Sequence, residues 1–182
     1  KESNSYYFHD IVATNPCGEQ GLPPFGVCNL GHFVLPRFYN PETNDVNWDD
    51  LARAVRIAVR LQDNIIDYTD YFLDENREVQ MSERRVGIGT MGLGTLLIRK
   101  GLRYGSDEGN KFIDKLYKFI AVEAYKASID LAEEKGAFPK FDAEKMKQSE
   151  FMKRLFPELP KEYQEKFMKT GIRNVTLLTQ AP

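Results

Sequence analysis

The sequence predicts an α/β protein that is mainly helical and has a few strands. Three long segments place apolar residues at helical spacing, at about 47–73, 82–100 and 106–135. Only short apolar or β-branched runs are typical of strands, and they lie at 6–13, 27–35 and 174–179. The 182 residues are enough for one domain with a sizeable core.

Composition excludes several classes of protein. A formal net charge of −2 and a pI near 5.8 give no basic footprint for nucleic acid. Mean hydropathy is −0.48 and no run of eighteen apolar residues exists, so neither a membrane span nor a signal segment is expected. The two cysteines suit a reducing compartment, and a cytoplasmic location is expected.

The most informative motif is Asn15-Pro16-Cys17-Gly18-Glu19-Gln20, within a loop at about 14–27 that we call the finger loop. Proline and glycine exclude a helix here, and an apolar run before it favours a strand leading into the loop. In an extended segment, alternate side chains point the same way. The spacing therefore predicts that Asn15, Cys17 and Glu19 converge on one small ligand.

The surroundings of Cys17 argue against a protease-like thiolate. Such a thiolate needs a nearby cation, yet no Lys or Arg lies between Glu2 and Arg37. A neutral thiol beside the carboxylate of Glu19 suits hydrogen-atom transfer. A buried cysteine without chemistry remains the alternative at this point, because free cysteine is usually a small apolar core residue.

The first long helix should begin after Asn47, a good N-cap residue. Its apolar stripe is expected at Leu51, Ala54, Val55, Ala58, Leu61, Ile65, Tyr68 and Phe72. The charged row Arg53, Arg56, Arg60 and Asp63 is expected on a solvated face. Asp63, Asp67 and Asp70 suggest a metal site, but no Glu-x-x-His pair accompanies them, so we predict none.

The segment 82–100 is predicted to be a second helix. It contains Gly87-Ile88-Gly89-Thr90-Met91-Gly92, which satisfies the G-x-G-x-x-G pattern of dinucleotide sites. That fingerprint should follow a buried strand, whereas a charged tetrapeptide precedes it here. The glycines are instead expected to let a helix approach another backbone closely.

The third helix should run from Ser106, its N-cap, to Gly136. Its apolar stripe is expected at Phe112, Ile113, Leu116, Phe119, Ile120, Ala124, Ala127 and Leu131. Residues 142–170 are rich in Lys and Glu, and we expect two short surface helices without chemistry there. Residues 174–179 are predicted to form a buried strand. His9 and His32 are each predicted to be hydrogen-bonded residues of the core or its rim, without a catalytic role.

Several motifs together resemble one family. The finger loop is followed by Cys28-Asn29-Leu30-Gly31, eleven residues after Cys17, and three further blocks follow in order. Those blocks are Arg84–Leu93, Arg103–Ser106 and Arg173–Pro182. This series is similar to the large subunits of ribonucleotide reductases, most closely to the adenosylcobalamin-dependent class.

The resemblance implies part of a ten-stranded α/β barrel with the finger loop at its centre. In that family, the cysteine matching Cys17 becomes a thiyl radical and removes the 3′ hydrogen atom of a ribonucleoside di- or triphosphate. The residue matching Glu19 takes the 3′-hydroxyl proton, and the amide matching Asn15 holds the ribose hydroxyls. The residue matching Cys28 is half of a reducing dithiol. Adenosylcobalamin and a thioredoxin-like or dithiol reductant are implied, with a homodimer as an option.

The family pattern also implies a central fragment of the catalytic subunit. A second dithiol cysteine would lie before the finger loop, and a phosphate loop would follow Ala181-Pro182. The remaining parts of the same subunit are therefore expected partners, and the isolated chain is expected to be inactive. Three alternatives stay open: a glycyl-radical reductase, a reductase with a separate metal radical subunit, and a non-enzymatic helical interaction domain.

Overall fold

The structure is a computed structural model that describes residues 2–180, so Lys1, Ala181 and Pro182 lie outside it. It contains helices and short strands, in agreement with the predicted α/β class. The strands are β1 (Ala13–Thr14), β2 (Gly21–Leu22), β3 (Asn29–Val34), β4 (Tyr39–Asn40), β5 (Asp45–Val46) and β6 (Val86–Met91). The helices are α1 (Trp48–Tyr68), α2 (Asp74–Glu83), α3 (Leu93–Lys100), α4 (Asp107–Lys135), α5 (Ala143–Lys147), α6 (Glu150–Leu155) and α7 (Lys161–Thr170).

Strands β3 and β6 form a parallel pair at the centre of the fold. Their register runs from Asn29 opposite Val86 to Val34 opposite Met91, and α1 and α2 lie in the connection between them. Parallel strands need such a crossover. The segment 175–179 runs along the other edge of β6 in parallel orientation. Its backbone makes hydrogen bonds with Val86 and Ile88, but only Leu178 makes a ladder pair, with Ile88, so the predicted strand over 174–179 is not continuous.

Helix α1 begins as predicted, and the first half of its predicted stripe faces the core, with Leu51 and Val55 fully buried and Ala54 and Ala58 packed against that core. The side chain of Asn47 caps it by accepting from the backbone N–H of Asp50. The helix ends at Tyr68, and the predicted contacts of its second half are wrong, because Tyr68 and Phe72 are almost fully exposed. The buried face is Leu51, Val55, Val59, Gln62, Asp63 and Ile66. This stripe includes polar residues, which hydrophobic periodicity cannot register.

Helix α4 agrees with its predicted bounds and stripe. Ser106 caps it by accepting from the backbone N–H of Gly109, and Gly136 follows its last residue with φ near +86°. Its buried residues include the predicted Leu116, Ile120, Ala124, Ala127 and Leu131. These side chains pack with those of α1 in one hydrophobic core.

The predicted helix over 82–100 is wrong. Helix α2 ends at Glu83, Arg84 adopts the left-handed region at φ 49°, and β6 then occupies Val86–Met91. Beyond the end of α2, only Leu93–Lys100 of this segment is helical. Strand β6 is buried on both faces, so it lacks the alternation that would distinguish it from a helix. Gly87 and Gly89 lie inside the strand instead of in a turn after it, which also separates this segment from a dinucleotide fingerprint.

Two further predictions need correction. Residues 4–8 form turns, and only Ala13–Thr14 of the region before the finger loop is a strand. Residues 142–170 contain three short α-helices instead of two. These helices are not merely superficial, because Met146, Met152 and Phe167 are fully buried in the core. Periodicity is a weak guide in helices of five to ten residues.

The strands within residues 2–180 form three two-stranded sheets and do not close a barrel. In the same part of the chain, every helix is too short or too polar to cross a membrane.

Candidate functional site

The finger loop is the tip of a small hairpin. Strands β1 and β2 pair in antiparallel fashion, with Ala13 opposite Leu22 and Thr14 opposite Gly21. One step closer to the turn, the backbone N–H of Asn15 donates to the carbonyl of Gln20 at 3.1 Å. The motif Asn15–Gln20 therefore spans the connection between two strands.

The tip of this hairpin is a tight turn. The backbone N–H of Gly18 donates to the carbonyl of Asn15 at 2.9 Å, which closes a four-residue turn. Gly18 has φ near +83°, a conformation that favours glycine. The extended geometry assumed from the sequence is therefore wrong, because the turn rotates successive side chains away from strict alternation.

The turn nevertheless brings two of the three predicted residues together. The side-chain amide of Asn15 donates to Oε1 of Glu19, and its own Oδ1 accepts from the backbone N–H of Gln20 at 3.0 Å. The other carboxylate oxygen of Glu19 is buried without a hydrogen-bond partner among the described residues. Cys17 is a free, exposed thiol at the tip, and no described hydrogen bond joins it to Asn15 or Glu19.

Cys28 lies in a different environment, directly before β3. Its thiol is free and largely withdrawn from solvent. Burial raises the pKa of Cys28 to about 12, and the anions Glu83 and Glu19 add to this against the opposing charge of Arg85. Its thiol is therefore protonated at neutral pH.

Cys28 belongs to one face of the parallel pair. Side chains alternate along a strand, so Asn29, Gly31 and Phe33 share the face that packs on α1. Cys28, Leu30 and His32 share the opposite face with Gly87 and Gly89. A Cβ atom added to Gly87 would lie 2.5 Å from Cδ2 of Leu30 and 3.3 Å from Sγ of Cys28. Glycine at this position makes room for the side chains of β3.

The guanidinium of Arg85 lies between this sheet and the hairpin. It makes two hydrogen bonds to the buried carboxylate of Glu83, at 2.7 and 3.1 Å. A further nitrogen donates to the carbonyl of Gly21 in β2 at 3.2 Å. Sequence reasoning missed Arg85 and Glu83 as site residues, since a charged pair beside a predicted helix indicates a solvated surface.

A second buried cluster joins α1 to the end of the chain. Asp63 accepts from Arg84 at 2.7 Å, from Arg173 at 3.2 Å and from the side chain of Asn174 at 3.0 Å. Arg84 also makes two hydrogen bonds to Asp67, both at 2.9 Å. The prediction that Asp63 faces solvent is wrong. No group of three or more His, Cys, Asp or Glu side chains suited to a metal ion occurs in residues 2–180.

The two histidines differ in their surroundings. Nδ1 of His9 lies 3.1 Å from Oε2 of Glu83, so His9 is a hydrogen-bonded residue at the rim of the core, as predicted. Nε2 of His32 is buried without a hydrogen-bond partner among the described residues. The predicted hydrogen bond of His32 is thus missing from that part of the chain.

The site thus consists of a parallel strand pair with α1 on one face, a free cysteine beside the opposite face, and a hairpin that carries a second free cysteine. This arrangement defines an α/β protein with two free thiols at its candidate site. A comparison with protein families matches residues 1–182 to the barrel domain of ribonucleotide reductase. The chain belongs to this family.

Individual relatives agree with the family match. The vitamin B12-dependent ribonucleoside-diphosphate reductase of Mycobacterium tuberculosis is 42% identical over 131 residues, which is 72% of this chain and 19% of that protein. A protein with the same description from Thermoplasma acidophilum is 38% identical over 71% of this chain and 17% of its own length. The ribonucleoside-diphosphate reductase subunit alpha of Treponema pallidum is 34% identical over 87% of this chain and 18% of its own. The chain thus spans about a fifth of the length of these relatives.

Proposed function

We propose that this chain is the part of a ribonucleotide reductase catalytic subunit that carries the radical cysteine and one redox-active cysteine. The complete protein would convert ribonucleoside di- or triphosphates to 2′-deoxyribonucleotides. The observation that carries this proposal is the contact between Asn15 and Glu19 at the base of the turn that presents Cys17. An amide, a carboxylate and an exposed thiol within five residues are the groups that this chemistry needs.

In the proposed reaction, Cys17 as a thiyl radical removes the 3′ hydrogen atom of the ribose. Glu19 takes the 3′-hydroxyl proton as general base, and Asn15 holds the ribose hydroxyls. The unpartnered carboxylate oxygen of Glu19 supports this role, because no hydrogen bond within the described residues occupies it. The contact with Asn15 fixes the orientation of the carboxylate.

Cys28 is proposed as half of the dithiol that supplies the electrons. Two thiols lose two electrons and two protons to form a disulfide, and the 2′-hydroxyl leaves as water while hydrogen takes its place. The raised pKa of Cys28 supports this assignment, because it keeps the sulfur protonated and able to give up hydrogen. The chain has two cysteines, so the second thiol of this pair must come from elsewhere if Cys17 carries the radical. For that reason we predict that the isolated chain is inactive.

The exposed tip of the hairpin fits a radical source that approaches from outside the chain. Cys17 is accessible, and nothing lies within 4 Å of a Cβ atom built on Gly18. Adenosylcobalamin, when bound by the complete protein, supplies the radical. The part of this chain is to present the thiol of Cys17 and to hold the ribose beside it.

The alternative is a catalytic subunit that receives its radical from a separate metal-containing subunit. The relatives described as vitamin B12-dependent are 38–42% identical to this chain, whereas the subunit alpha of Treponema pallidum is 34% identical. This difference favours the cobalamin-dependent class. Proposed partners are the remaining parts of the same subunit, a thioredoxin-like or dithiol reductant and a second copy of the subunit.

The test separates the two cysteines by role in the complete protein with adenosylcobalamin and a dithiol. Cys17→Ala should abolish hydrogen exchange at the 3′ carbon of the substrate and at the 5′ carbon of the cofactor. Cys28→Ser should retain the exchange at the cofactor and fail to complete the reduction. An equal loss of radical formation in both variants would contradict this assignment.

A further inference from the structure

Arg85 is enclosed by protein although its side chain is long and charged. Only 1% of its surface is exposed, and its partner Glu83 is fully buried. The two hydrogen bonds to Glu83 use Nε and Nη2 and neutralise the charge. A buried pair of this kind is costly to desolvate, and stability alone is a weak reason for its presence.

The remaining donors of Arg85 reach parts of the chain that are distant in sequence. Nη1 donates to the carbonyl of Gly21 at 3.2 Å, and Nη2 donates to Oγ of Ser5 at 3.3 Å. Gly21 is the first residue of β2 and follows Gln20 directly. The guanidinium thus holds the hairpin two residues from Glu19.

Within residues 2–180, two hydrogen bonds link the finger loop to the rest of the chain: Asn76 donates to the carbonyl of Phe25 at 2.7 Å, and Arg85 donates to that of Gly21, which is closer to Cys17 in sequence. Strands β1 and β2 have only two residues each, and an isolated two-stranded hairpin is marginally stable. The position of the hairpin therefore depends on these anchors more than on its own pairing.

Arg85 is also next to Cys28. The register of the parallel pair begins with Asn29 opposite Val86, and Cys28 and Arg85 are the residues immediately before these two. The side chain of Arg85 therefore contacts the hairpin that carries Cys17, while its backbone lies beside Cys28 at the start of the parallel pair.

We propose that Arg85, oriented by Glu83, is a positioning residue that holds the Cys17 hairpin in fixed register with Cys28. The relevance of Arg85 to catalysis rests on the proposed function, because the proposed function assigns Cys17 and Cys28 to one reaction. Arg85 touches neither thiol in this role and acts through the carbonyl of Gly21.

The direct test is amide hydrogen exchange by NMR on the 182-residue chain. Arg85→Lys keeps the charge, but a single ammonium cannot reproduce the fork that contacts Glu83 and Gly21 together. The amides of Asn15, Gly18 and Gln20 should exchange about tenfold faster, as expected for losing a hydrogen bond from a charged donor. The amides of Leu116 and Ile120 in α4 should keep their protection.

Arg84→Lys is the matched control, because Arg84 is equally buried but bonds to Asp63 and Asp67 instead of the hairpin. Arg84→Lys should leave the exchange rates of the hairpin amides unchanged relative to those of the α4 amides. Equal exchange of the hairpin amides in both variants would overturn the proposal. If Arg85→Lys does not fold, the double variant Glu83→Gln with Arg85→Met removes both charges together and decides the question by the same measurement.

A second readout uses the complete protein. Arg85→Lys should lower kcat about tenfold, because a small displacement of reacting groups is enough for such a loss, and leave KM within about twofold. Arg84→Lys should alter neither. A wild-type protein that lacks reductase activity would overturn the proposed function, whereas the amide exchange would still decide whether Arg85 holds the hairpin.

Discussion

Asp63 and Arg84 form an ion pair that is closed to solvent, with Nε of Arg84 2.7 Å from Oδ1 of Asp63. Asp63 lies in α1, and Arg84 follows the last residue of α2 in a left-handed conformation. A non-glycine residue in that region carries strain and persists only where its surroundings fix it. The pair therefore joins the residue that follows α2 to the buried face of α1.

We predict that Asp63→Asn lowers the free energy of unfolding by about 3 kcal/mol, because it removes the buried charge that Arg84 and Arg173 share and leaves Arg84 only the half-exposed carboxylate of Asp67. Arg84 and Arg173 both donate to this carboxylate. Urea denaturation followed by circular dichroism measures the change.

The matched control for that measurement is Glu134→Gln. Glu134 forms an ion pair with Arg60 in which both side chains are about half exposed. Exposed pairs contribute less than about 1 kcal/mol, so this variant should unfold almost like the wild type. Similar losses in the two variants would argue against a special role for the buried cluster.

Gly87→Ala should destabilise the fold by about 1–3 kcal/mol through overpacking. The added Cβ would lie 2.5 Å from Cδ2 of Leu30 and 2.7 Å from Cγ2 of Thr179. Gly94→Ala is the control, since nothing lies within 4 Å of a Cβ there. Its position inside α3 should make it neutral or stabilising by about 0.5–1 kcal/mol. Thermal unfolding of the two variants compares them, and an equally stable Gly87→Ala would show that β6 shifts freely.

The two thiols should differ in their reaction with iodoacetamide. With a pKa of about 12, roughly one Cys28 in ten thousand is a thiolate at pH 8. Cys17→Ser, which retains only Cys28, should therefore react at least about a hundredfold more slowly than Cys28→Ser, which retains the exposed Cys17. The rate at which Cys28 reacts with iodoacetamide should rise steadily up to pH 11. Fast labelling of Cys28 at pH 8 would contradict its burial.

The pair of Asp45 with Lys100 predicts a dependence of stability on pH. Burial opposes ionisation of Asp45, but Lys100, the indole N–H of Trp48 and the backbone N–H of Val46 outweigh it and lower its pKa to about 2. The pKa in the unfolded chain is about 3.9, so the stabilisation is complete above that pH and is lost as pH falls through about 2.

Asp45→Asn should therefore cost about 1 kcal/mol at pH 7, a value limited by solvent screening of a partly exposed pair. At pH 2 the difference from the wild type should fall to a small fraction of its value at pH 7, because Asp45 is then about half protonated in the folded state. Unfolding free energies at both pH values provide the measurement, and the exposed Asp114→Asn serves as control. A difference that is as large at pH 2 as at pH 7 would show that the effect is not electrostatic.

The parts of the fold that sequence predicted well are those with local causes. Helix α4 has its cap at Ser106, its stop at Gly136 and a periodic stripe, all of which act over a few residues. The sequence of strand β6 predicts a helix, because burial on both faces removes the alternation of a half-exposed strand. The local sequence places Asp63 on a solvated face, because the partners that bury it, Arg84 and Arg173, are 21 and 110 residues away.

The candidate site also combines features with local causes and features that depend on partners distant in sequence. Residue identity and order alone account for the chemical groups of the finger loop, the spacing of Cys17 and Cys28 and the family resemblance. The turn in the loop, the bond between Glu19 and Asn15, and the link from Arg85 to the hairpin become visible only in the folded chain. The physical reason is that a buried charge is stable only where a partner meets it, and that meeting depends on how the whole chain packs.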